Sequence, residues 1–420
     1  MRQISFVFLW FVVLVMPWED IFAIPGLTSF AKILGICAVL SGLAGALFSG
    51  RLRLPYALGW VVLFSAWCAI SARWAPEHHG PDMEMPLRRA ISYLLLLSFV
   101  WLIFSTVDNP KRLRSLMRAC ILGTSMMVAN MYLGYLHAGV PLNTDTEVRY
   151  SAEGANENGV AFFCSLSILF AFYLITRREK SGLELPKWFY WGFIVAAGLA
   201  VPLTGSRAGT VSLGIVGFVL LGRLRKINWK ARLALVVAVM LVAILIPRLV
   251  GRSTISRITG GVTATDSTRL NAWRTGMKAW VDTPVLGVGA GCYGDIMVAE
   301  GFRNMPAHNT VISVLVENGL VGFALYFAYW WIIIRRAMRL PKADWLFWFG
   351  ALASLLPVVL TTSAEYWKPL WFLGALVLCQ AATDKAPVAS RRRIPVLRPG
   401  SAGPPLPPLR LRPVTDQDGQ

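Results

Sequence analysis

A histidine stands directly before a long apolar segment in "HNTVISVLVENGLVG", which begins at His308. An imidazole with its reference pKa of about 6.5 can accept a proton from a hydroxyl near neutral pH. Asn309 beside it is suited to orient the ring or that hydroxyl. Gly319 and Gly322 give the segment a small face on which another helix can pack closely. The stretch predicts a general base at a helix start, although a histidine there is also often a hydrogen-bonded structural residue.

Two further stretches place arginines where an anion would bind. In "TGSRAG", Arg207 stands at the start of a predicted helix, whose N–H groups and dipole favour an anion. Its guanidinium adds bidentate donors suited to phosphate. In "DSTRLNAWRTGMKAW", Arg269, Arg274 and Lys278 alternate with apolar and aromatic residues, a pattern typical of an amphipathic helix in the membrane interface. Anchoring to lipid headgroups explains both stretches equally well, so both interpretations stay open.

A pair of asparagines precedes another apolar segment, in "YSAEGANENGVAFF". Asn156 and Asn158 there suit a ligand with many hydroxyl groups, and they suit helix capping equally. A glycine-rich stretch, "TPVLGVGAGCYGD", is too irregular for a dinucleotide or phosphate-loop fingerprint, and we interpret it as a tight loop that permits close backbone approach.

The composition indicates a membrane protein. Of the 420 residues 56% are hydrophobic, more than in an ordinary soluble domain. The formal charge of +19 would suggest nucleic acid in a soluble protein, but the basic residues lie in short runs between apolar segments, which is how membrane topology is encoded. Nucleic-acid binding is therefore set aside. The cysteines show neither a disulfide framework nor metal-ligand spacing.

About twelve segments are apolar and long enough to be membrane-spanning candidates, because a bilayer needs roughly 17 to 25 such residues. These segments are 4–18, 28–49, 55–71, 89–106, 116–136, 159–176, 188–203, 207–222, 232–248, 309–336, 344–361 and 366–382. The fold class expected is an all-α integral membrane protein. The segment at the N-terminus has the basic start and apolar run of a signal peptide without a small-residue cleavage site, so we interpret it as a retained helix.

Lys and Arg concentrate in alternate connections, which predicts that these connections and both termini are cytoplasmic. His308, Arg207 and the long loop 249–308 then lie on the other face, and the loop has a basic excess that the topology rule does not require. Such an excess favours an anionic ligand. The expected organisation is as follows: helices over 1–248, the outer loop 249–308 with interfacial helices, helices over 309–383, and a disordered basic, Pro-rich tail over 384–420.

Three motifs in this order resemble the O-antigen ligase and polymerase superfamily of bacterial envelope glycosyltransferases: "TGSRAG", "RLNAWRTGMKAWVDTPVLGVGAGCYGD" and "HNTVISVLVENGLVG". The ligase pattern of His, then Asn/Ser/Gln, nine residues, Gly, two residues and Gly is met by His308, Asn309, Gly319 and Gly322. Two departures are visible. "FAL" follows the second glycine where some ligases have a residue and two threonines, and Val211 replaces the leucine of their Arg-x-x-x-Leu turn.

The resemblance implies a GT-C-like inner-membrane enzyme. It would transfer a glycan from undecaprenyl pyrophosphate to a sugar hydroxyl of lipid A-core on the periplasmic side, without metal or other cofactor and with inversion. His308 would be the general base, and Arg207 and Arg269 would stabilise the pyrophosphate. The substrate-binding candidates are the following: Arg274, Lys278, Asn309, Asn156 and Asn158.

Four alternatives stay open at this stage. An O-antigen polymerase or a protein O-oligosaccharyltransferase would use the same donor with another acceptor. A metal-dependent glycosyltransferase would use acidic pairs in outer loops, such as Asp82 with Glu84 or Asp145 with Glu147. A transporter or flippase for an anionic lipid would line a path with arginines. Against the transporter, we find no charged relay at the centre of the apolar segments.

Overall fold

The fold is taken from a computed structural model, which describes residues 2–18, 30–49, 54–75, 85–138, 149–152, 156–176, 184–223, 229–249, 255, 260 and 264–384. Helices and turns make up these residues, and they contain no strand. The acidic pairs Asp82/Glu84 and Asp145/Glu147 lie outside the described residues, as does the predicted tail beyond Asp384.

Fifteen α-helices form within the described chain. In order they are α1 (Arg2–Val15), α2 (Phe30–Ser49), α3 (Leu58–Ile70), α4 (Met85–Thr106), α5 (Pro110–Ala138), α6 (Glu157–Thr176), α7 (Lys187–Leu203), α8 (Arg207–Gly222), α9 (Trp229–Leu249), α10 (Ala264–Asp282), α11 (Tyr293–Ala299), α12 (Thr310–Met338), α13 (Lys342–Ala353), α14 (Leu356–Thr361) and α15 (Lys368–Asp384). Short 3₁₀ turns follow α1 and α3, over Met16–Trp18 and Ser71–Arg73.

Each predicted apolar segment coincides with helical residues in the described chain. Five helical stretches are long and apolar enough to cross a membrane by length and composition, and they are Met85–Thr106, Pro110–Ala138, Glu157–Thr176, Thr310–Met338 and Asp344–Thr361. The all-α membrane class is therefore confirmed. That all twelve segments cross the bilayer stays a prediction.

One predicted span, 344–361, consists of two helices. α13 ends at Ala353 and α14 begins at Leu356. Pro357 is the cause, because proline has no N–H to bond the carbonyl of Ala353 and its ring collides with that carbonyl in a continuous helix. At the first turn of a new helix the missing N–H costs nothing, so α14 starts there.

Two helices lie at the centre of the bundle. Every residue of α6 from Val160 to Ile175 is buried, and so is every residue of α15 from Pro369 to Ala381. Helices that are apolar on all sides are expected to be enclosed by other helices. Within α6, the hydroxyl of Ser167 lies 2.9 Å from that of Thr124 on α5, so its polar atom is satisfied. The first residues of both central helices reach the pocket described below.

The loop 283–289 inserts into a break in α12. Gly319 has φ 62° and ψ −170°, which interrupts the helix. The carbonyls freed there are bonded from outside the helix: Val288 N–H donates to Val316 O at 3.0 Å, and Gly289 N–H donates to Glu317 O at 2.9 Å. In the reverse direction Leu320 N–H donates to Pro284 O. A helix break in a membrane segment is tolerated when its polar groups are satisfied in this way.

Gly319 and Gly322 were predicted to form one small face for helix packing, but the two glycines have different roles in the structure. Gly322 does permit close packing, because a side chain there would meet Trp67 of α3. Gly319 instead provides the positive φ of the break. Trp67 secures this arrangement, since its indole N–H donates to Asn318 O at 2.9 Å.

Replacement of Gly319 should be strongly destabilising. In Gly319→Ala the added Cβ would overlap the carbonyl of Val285, and an L-residue in this backbone conformation, which is essentially confined to glycine, costs about 1–3 kcal/mol before that overlap. We expect a clear fall in the midpoint of thermal unfolding of the purified protein. Gly134→Ala is the control, because a Cβ there meets open space within α5. Equal midpoints for the two variants would contradict the assigned role of the break.

The segment predicted as an outer loop with interfacial helices contains α10 and α11, which pack on the start of α12. A small separate core forms there from Ala272, Tyr293, Met297, Met305, Ala307 and Val316. Trp273 donates to Ala307 O at 2.8 Å, and Tyr293 donates to Ala272 O at 2.7 Å. α10 is thus anchored to protein by one face, and its placement in a membrane interface stays a prediction.

Candidate functional site

A pocket of about 860 Å³ lies where the ends of several helices meet. Its walls come from the end of α1, the start of α6, the start of α10, the chain before α12 and the connection between α14 and α15. These walls combine residues of the connections with residues inside the helices, such as Met127 of α5 and Phe163 of α6. The pocket therefore collects residues that are up to about 350 positions apart in sequence. That the connections share one face of the membrane stays a prediction.

His308 lies in this pocket, two residues before α12. Among the described residues other than glycine it alone has a positive φ, 49°. Asparagine, aspartate and histidine adopt this conformation more readily than other residues, but it remains uncommon. Its neighbours hold it in place: Ala307 O accepts the Trp273 hydrogen bond, and Asn309 caps α12. A side chain fixed in a sparsely populated conformation is a frequent property of functional positions.

The surroundings of His308 favour the neutral imidazole. Burial lowers the pKa of His308 below its usual value of 6.5, and the positive charges of Arg269 and Arg303 lower the pKa further. At neutral pH the ring is therefore unprotonated and has a free lone pair. It can accept a proton, which is the property that a general base requires.

Four basic side chains stand among the described residues that line the pocket. They are Arg149, Arg269, Arg303 and Lys368. One acidic residue, Glu157, also lines it and pairs with Arg149 at 3.5 Å. The basic excess gives the pocket a positive potential that suits a multiply charged anion.

Sequence reasoning assigned a role to one of these four, Arg269. Arg303 and Lys368 received no role, although Arg303 lies within the basic loop 249–308. Arg149 was missed, although its signal is its place shortly before the two asparagines. Its guanidinium donates to Thr204 O at 3.1 Å, which connects it to the "TGSR" turn.

Asn156 and Asn158 both line the pocket, as the hydroxyl-ligand interpretation requires. They also take part in local structure. The backbone N–H of Asn158 donates to the Asn156 side chain at 2.9 Å, and Ser206 donates to the Asn158 side-chain oxygen at 2.7 Å. Ser206 in turn caps α8, because its hydroxyl accepts from Gly209 N–H.

The remaining predicted residues are not among the described residues that line the pocket. Arg207 begins α8, directly after Ser206. Arg274 is exposed on α10. Lys278 is 70% exposed and pairs with Glu300 at 3.0 Å, which also raises the pKa of the lysine. Asn309 is buried, and its side chain accepts from Val311 and Ile312 N–H, so it caps α12.

A buried charged cluster behind the pocket was also missed. Arg89 lies with its guanidinium 4.3 Å from the ring centre of Tyr366, a pocket residue, and it interacts electrostatically with Glu317 and Glu365. Glu317 accepts from Gly291 N–H at 2.8 Å and so connects this cluster to the glycine-rich loop. Burial, followed by the nearby charge of Glu317, raises the pKa of Glu365 to about 8. Isolated Glu and Arg residues in apolar segments are the signal that could have identified the cluster.

Comparison with known proteins agrees with the motif resemblance. Residues 191–327 match the family model described as O-Antigen ligase. The chain is 26% identical over 333 residues to the O-antigen ligase of Pseudomonas aeruginosa, covering 75% of each protein. It is 25% identical over 285 residues to the exopolysaccharide production protein ExoQ of Rhizobium meliloti, covering 63% of this chain and 62% of ExoQ. The chain thus matches about three fifths of the length of ExoQ.

Proposed function

We propose that this chain, a member of the O-antigen ligase family, transfers a preassembled glycan from undecaprenyl pyrophosphate to a sugar hydroxyl of lipid A-core. One observation carries the proposal: a single pocket holds His308 together with Arg269 and further cations, in surroundings that lower the pKa of the histidine. The proposed site faces the periplasm from the bacterial inner membrane, and both termini are cytoplasmic.

The donor pyrophosphate is bound by the cationic wall, which is our name for Arg149, Arg269, Arg303 and Lys368. Negative charge grows on this group as the bond to the glycan breaks, and preorganised cations stabilise that charge in the transition state. Arg269 is placed for this role, with Arg149, Arg303 and Lys368 around it. We assign Arg207 to the same group of pyrophosphate-binding cations because it directly follows Ser206. The hydroxyl of Ser206 donates to the side chain of Asn158 in the pocket wall. A pyrophosphate that extends past Asn158 reaches the N-terminus of α8.

His308 acts on the acceptor. Its imidazole takes the proton of the acceptor hydroxyl while that oxygen attacks the anomeric carbon of the glycan. The bond from this carbon to the phosphate oxygen breaks, and its electron pair leaves with the pyrophosphate. Attack from the face opposite the leaving group inverts the anomeric centre. Since arginines stabilise the charge and the donor carries its own leaving group, we expect the reaction to need no metal.

The pH dependence of transfer reports on the positive neighbours of His308. The active form is the neutral ring, so activity should fall as pH drops through its lowered pKa. Arg303→Gln removes one positive neighbour, which raises that pKa toward its usual value. The acid limb of kcat/KM should therefore move to higher pH. Arg303→Lys keeps the positive charge, so the acid limb of kcat/KM should stay at the same pH. If neither variant changes the pH of the acid limb, a group other than His308 is responsible for it.

A second function has a specific observation in its favour. The chain is about as similar to ExoQ, named for exopolysaccharide production, as to an O-antigen ligase. A polymerase would use the same pocket and donor, but its acceptor would be another lipid-linked saccharide. A protein O-oligosaccharyltransferase would take a protein hydroxyl.

A transfer assay separates these functions. Purified protein in lipid is supplied with undecaprenyl-pyrophosphate glycan, with and without lipid A-core and with and without EDTA. We expect transfer to lipid A-core that persists in EDTA. Chain growth on the donor in the absence of core would establish the polymerase instead, and loss of activity with EDTA would direct attention to the acidic pairs of the outer loops.

A further inference from the structure

The connection between α14 and α15 forms one wall of the pocket. We call residues Thr362 to Trp367 the hydroxyl loop; four of its members, Thr362, Ser363, Tyr366 and Trp367, line the pocket that contains His308. Neither the motif analysis nor the proposed mechanism gives this wall a role. Its chemistry differs from that of the cationic wall, because the loop presents two hydroxyls and two aromatic rings.

Two hydroxyls of the loop are buried without a hydrogen-bond partner in the described part of the chain. Thr362 is 8% exposed and Ser363 7% exposed, and neither Thr362 Oγ1 nor Ser363 Oγ has a partner. Buried hydroxyls in proteins are nearly always bonded. Nearby hydroxyls follow this rule: Thr361 donates to Pro357 O at 2.7 Å, and Ser354 donates to Ala351 O at 2.8 Å. Among the described residues the hydroxyls of Tyr326 and Tyr329 are also buried without a partner, but these two tyrosines do not line the pocket, whereas Thr362 and Ser363 do.

The backbone of the hydroxyl loop is held by hydrogen bonds from α12 and α15. Thr310, the first residue of α12, donates to Thr362 O at 2.9 Å and accepts from Ala364 N–H at 2.8 Å. Ser313 donates to the Glu365 carboxylate at 2.9 Å, and Trp371 donates to Glu365 O. The bonds of Thr310 and Ser313 attach the loop to the first turn of α12, which begins two residues beyond His308, and the bond of Trp371 attaches it to α15. The two unpaired hydroxyls and the proposed base are thus held in one rigid arrangement.

We propose that the hydroxyl loop is a saccharide subsite, an inference that rests on the proposed transferase function. Hydroxyls of Thr362 and Ser363 bond hydroxyls of a sugar ring, and Tyr366 and Trp367 contact its apolar face. A hydroxyl both donates and accepts, which matches the hydroxyls of a sugar, whereas a phosphate would accept only. Aromatic walls with a few placed polar groups are also typical of sites for uncharged organic ligands. The sugar belongs either to the acceptor or to the donor glycan.

Paired substitutions test the subsite by kinetics. Thr362→Val and Ser363→Ala each remove one unpaired hydroxyl with little change of volume, and Thr361→Val removes a hydroxyl that is already bonded within its helix. Loss of one sugar hydrogen bond should raise the KM of the bound substrate about 3- to 10-fold. A raised KM for lipid A-core assigns the subsite to the acceptor, and a raised KM for the donor assigns it to the donor glycan. Values within twofold of those of Thr361→Val for both substrates would overturn the proposal.

Direct binding distinguishes failure of the subsite from failure of the proposed reaction. Saturation-transfer NMR on the protein in nanodiscs is recorded with delipidated core oligosaccharide and, separately, with delipidated donor glycan. We expect a signal from one of them that weakens in Thr362→Val and Ser363→Ala but not in Thr361→Val, even if the transfer assay were negative. No signal from either glycan on the unmodified protein, or equal signals in all variants, would overturn the subsite. Size-exclusion profiles confirm that each variant is folded.

Discussion

His308→Ala should lower the turnover of glycan transfer by about 10²- to 10⁴-fold, the usual contribution of a general base. Donor affinity should change little, because the cationic wall that binds the pyrophosphate is intact. Single-turnover transfer measures the first quantity, and titration of the protein with donor in the absence of acceptor measures the second. Normal turnover in this variant would make the ring a structural element.

A second variant, His308→Gly, separates the effect of losing the imidazole from the effect of backbone strain. His308 has φ 49°, a conformation that glycine adopts freely, so His308→Gly removes the ring without backbone strain. It should be as inactive as His308→Ala, and recovery of activity in the glycine variant would indicate that strain caused the loss. His137→Ala is the matched control, because His137 is exposed near the end of α5 and is not among the described residues of the pocket.

Arg269→Ala should lower turnover by about 10²- to 10³-fold and should also weaken donor binding. The reason is that the guanidinium stabilises the pyrophosphate both in the bound ground state and in the transition state. Arg269→Lys retains the charge and loses the planar pair of donors, so we expect a loss of at least about tenfold. Initial rates and donor titration are measured on both variants. A fully active lysine variant would mean that Arg269 supplies only charge, as a headgroup anchor does.

Arg274 offers a matched control on the same helix. It is exposed and is not among the described residues that line the pocket, whereas Arg269 five residues earlier lines it. Arg274→Lys should therefore retain activity within about twofold, the scatter expected for a surface change. If Arg274→Lys were as impaired as Arg269→Lys, the basic face of α10 as a whole, and not one side chain, would bind the donor.

The sequence was sufficient for the parts of this site that depend on local pattern. Apolar runs predicted where the helices lie, because a bilayer requires long apolar segments. Asn156, Asn158, Arg269 and His308 were predicted from their residue types and neighbours, and all four line one pocket. The assignment of connections to a common face of the membrane stays a prediction. Asn309 could also have been identified as a cap, since asparagine before an apolar helix is a common N-cap.

The parts that escaped prediction depend on contacts between distant segments. Gly319 was expected to provide helix packing, and its positive φ is meaningful only with the loop 283–289 beside it. The hydroxyl loop has no local signature, because Thr362 and Ser363 are distinguished by unpaired hydroxyls together with a position in the pocket wall, and both depend on the tertiary structure. Arg149 and Lys368 are single cations in sequence, and only the tertiary structure brings them beside Arg269.

The break in α12 has a consequence for the biogenesis of this protein. Carbonyls of Val316 and Glu317 are bonded by the loop 283–289, and without that loop they would be unpaired at the break. A continuous helix would pair them within itself, so the segment 310–338 is expected to enter the bilayer unbroken. The loop 283–289 is synthesised earlier than this segment. When the loop docks, its N–H groups replace the intrahelical donors to the carbonyls of Val316 and Glu317. His308 lies two residues before α12, so its final position depends on the docked state of this helix. The pocket is therefore expected to form late, after membrane insertion.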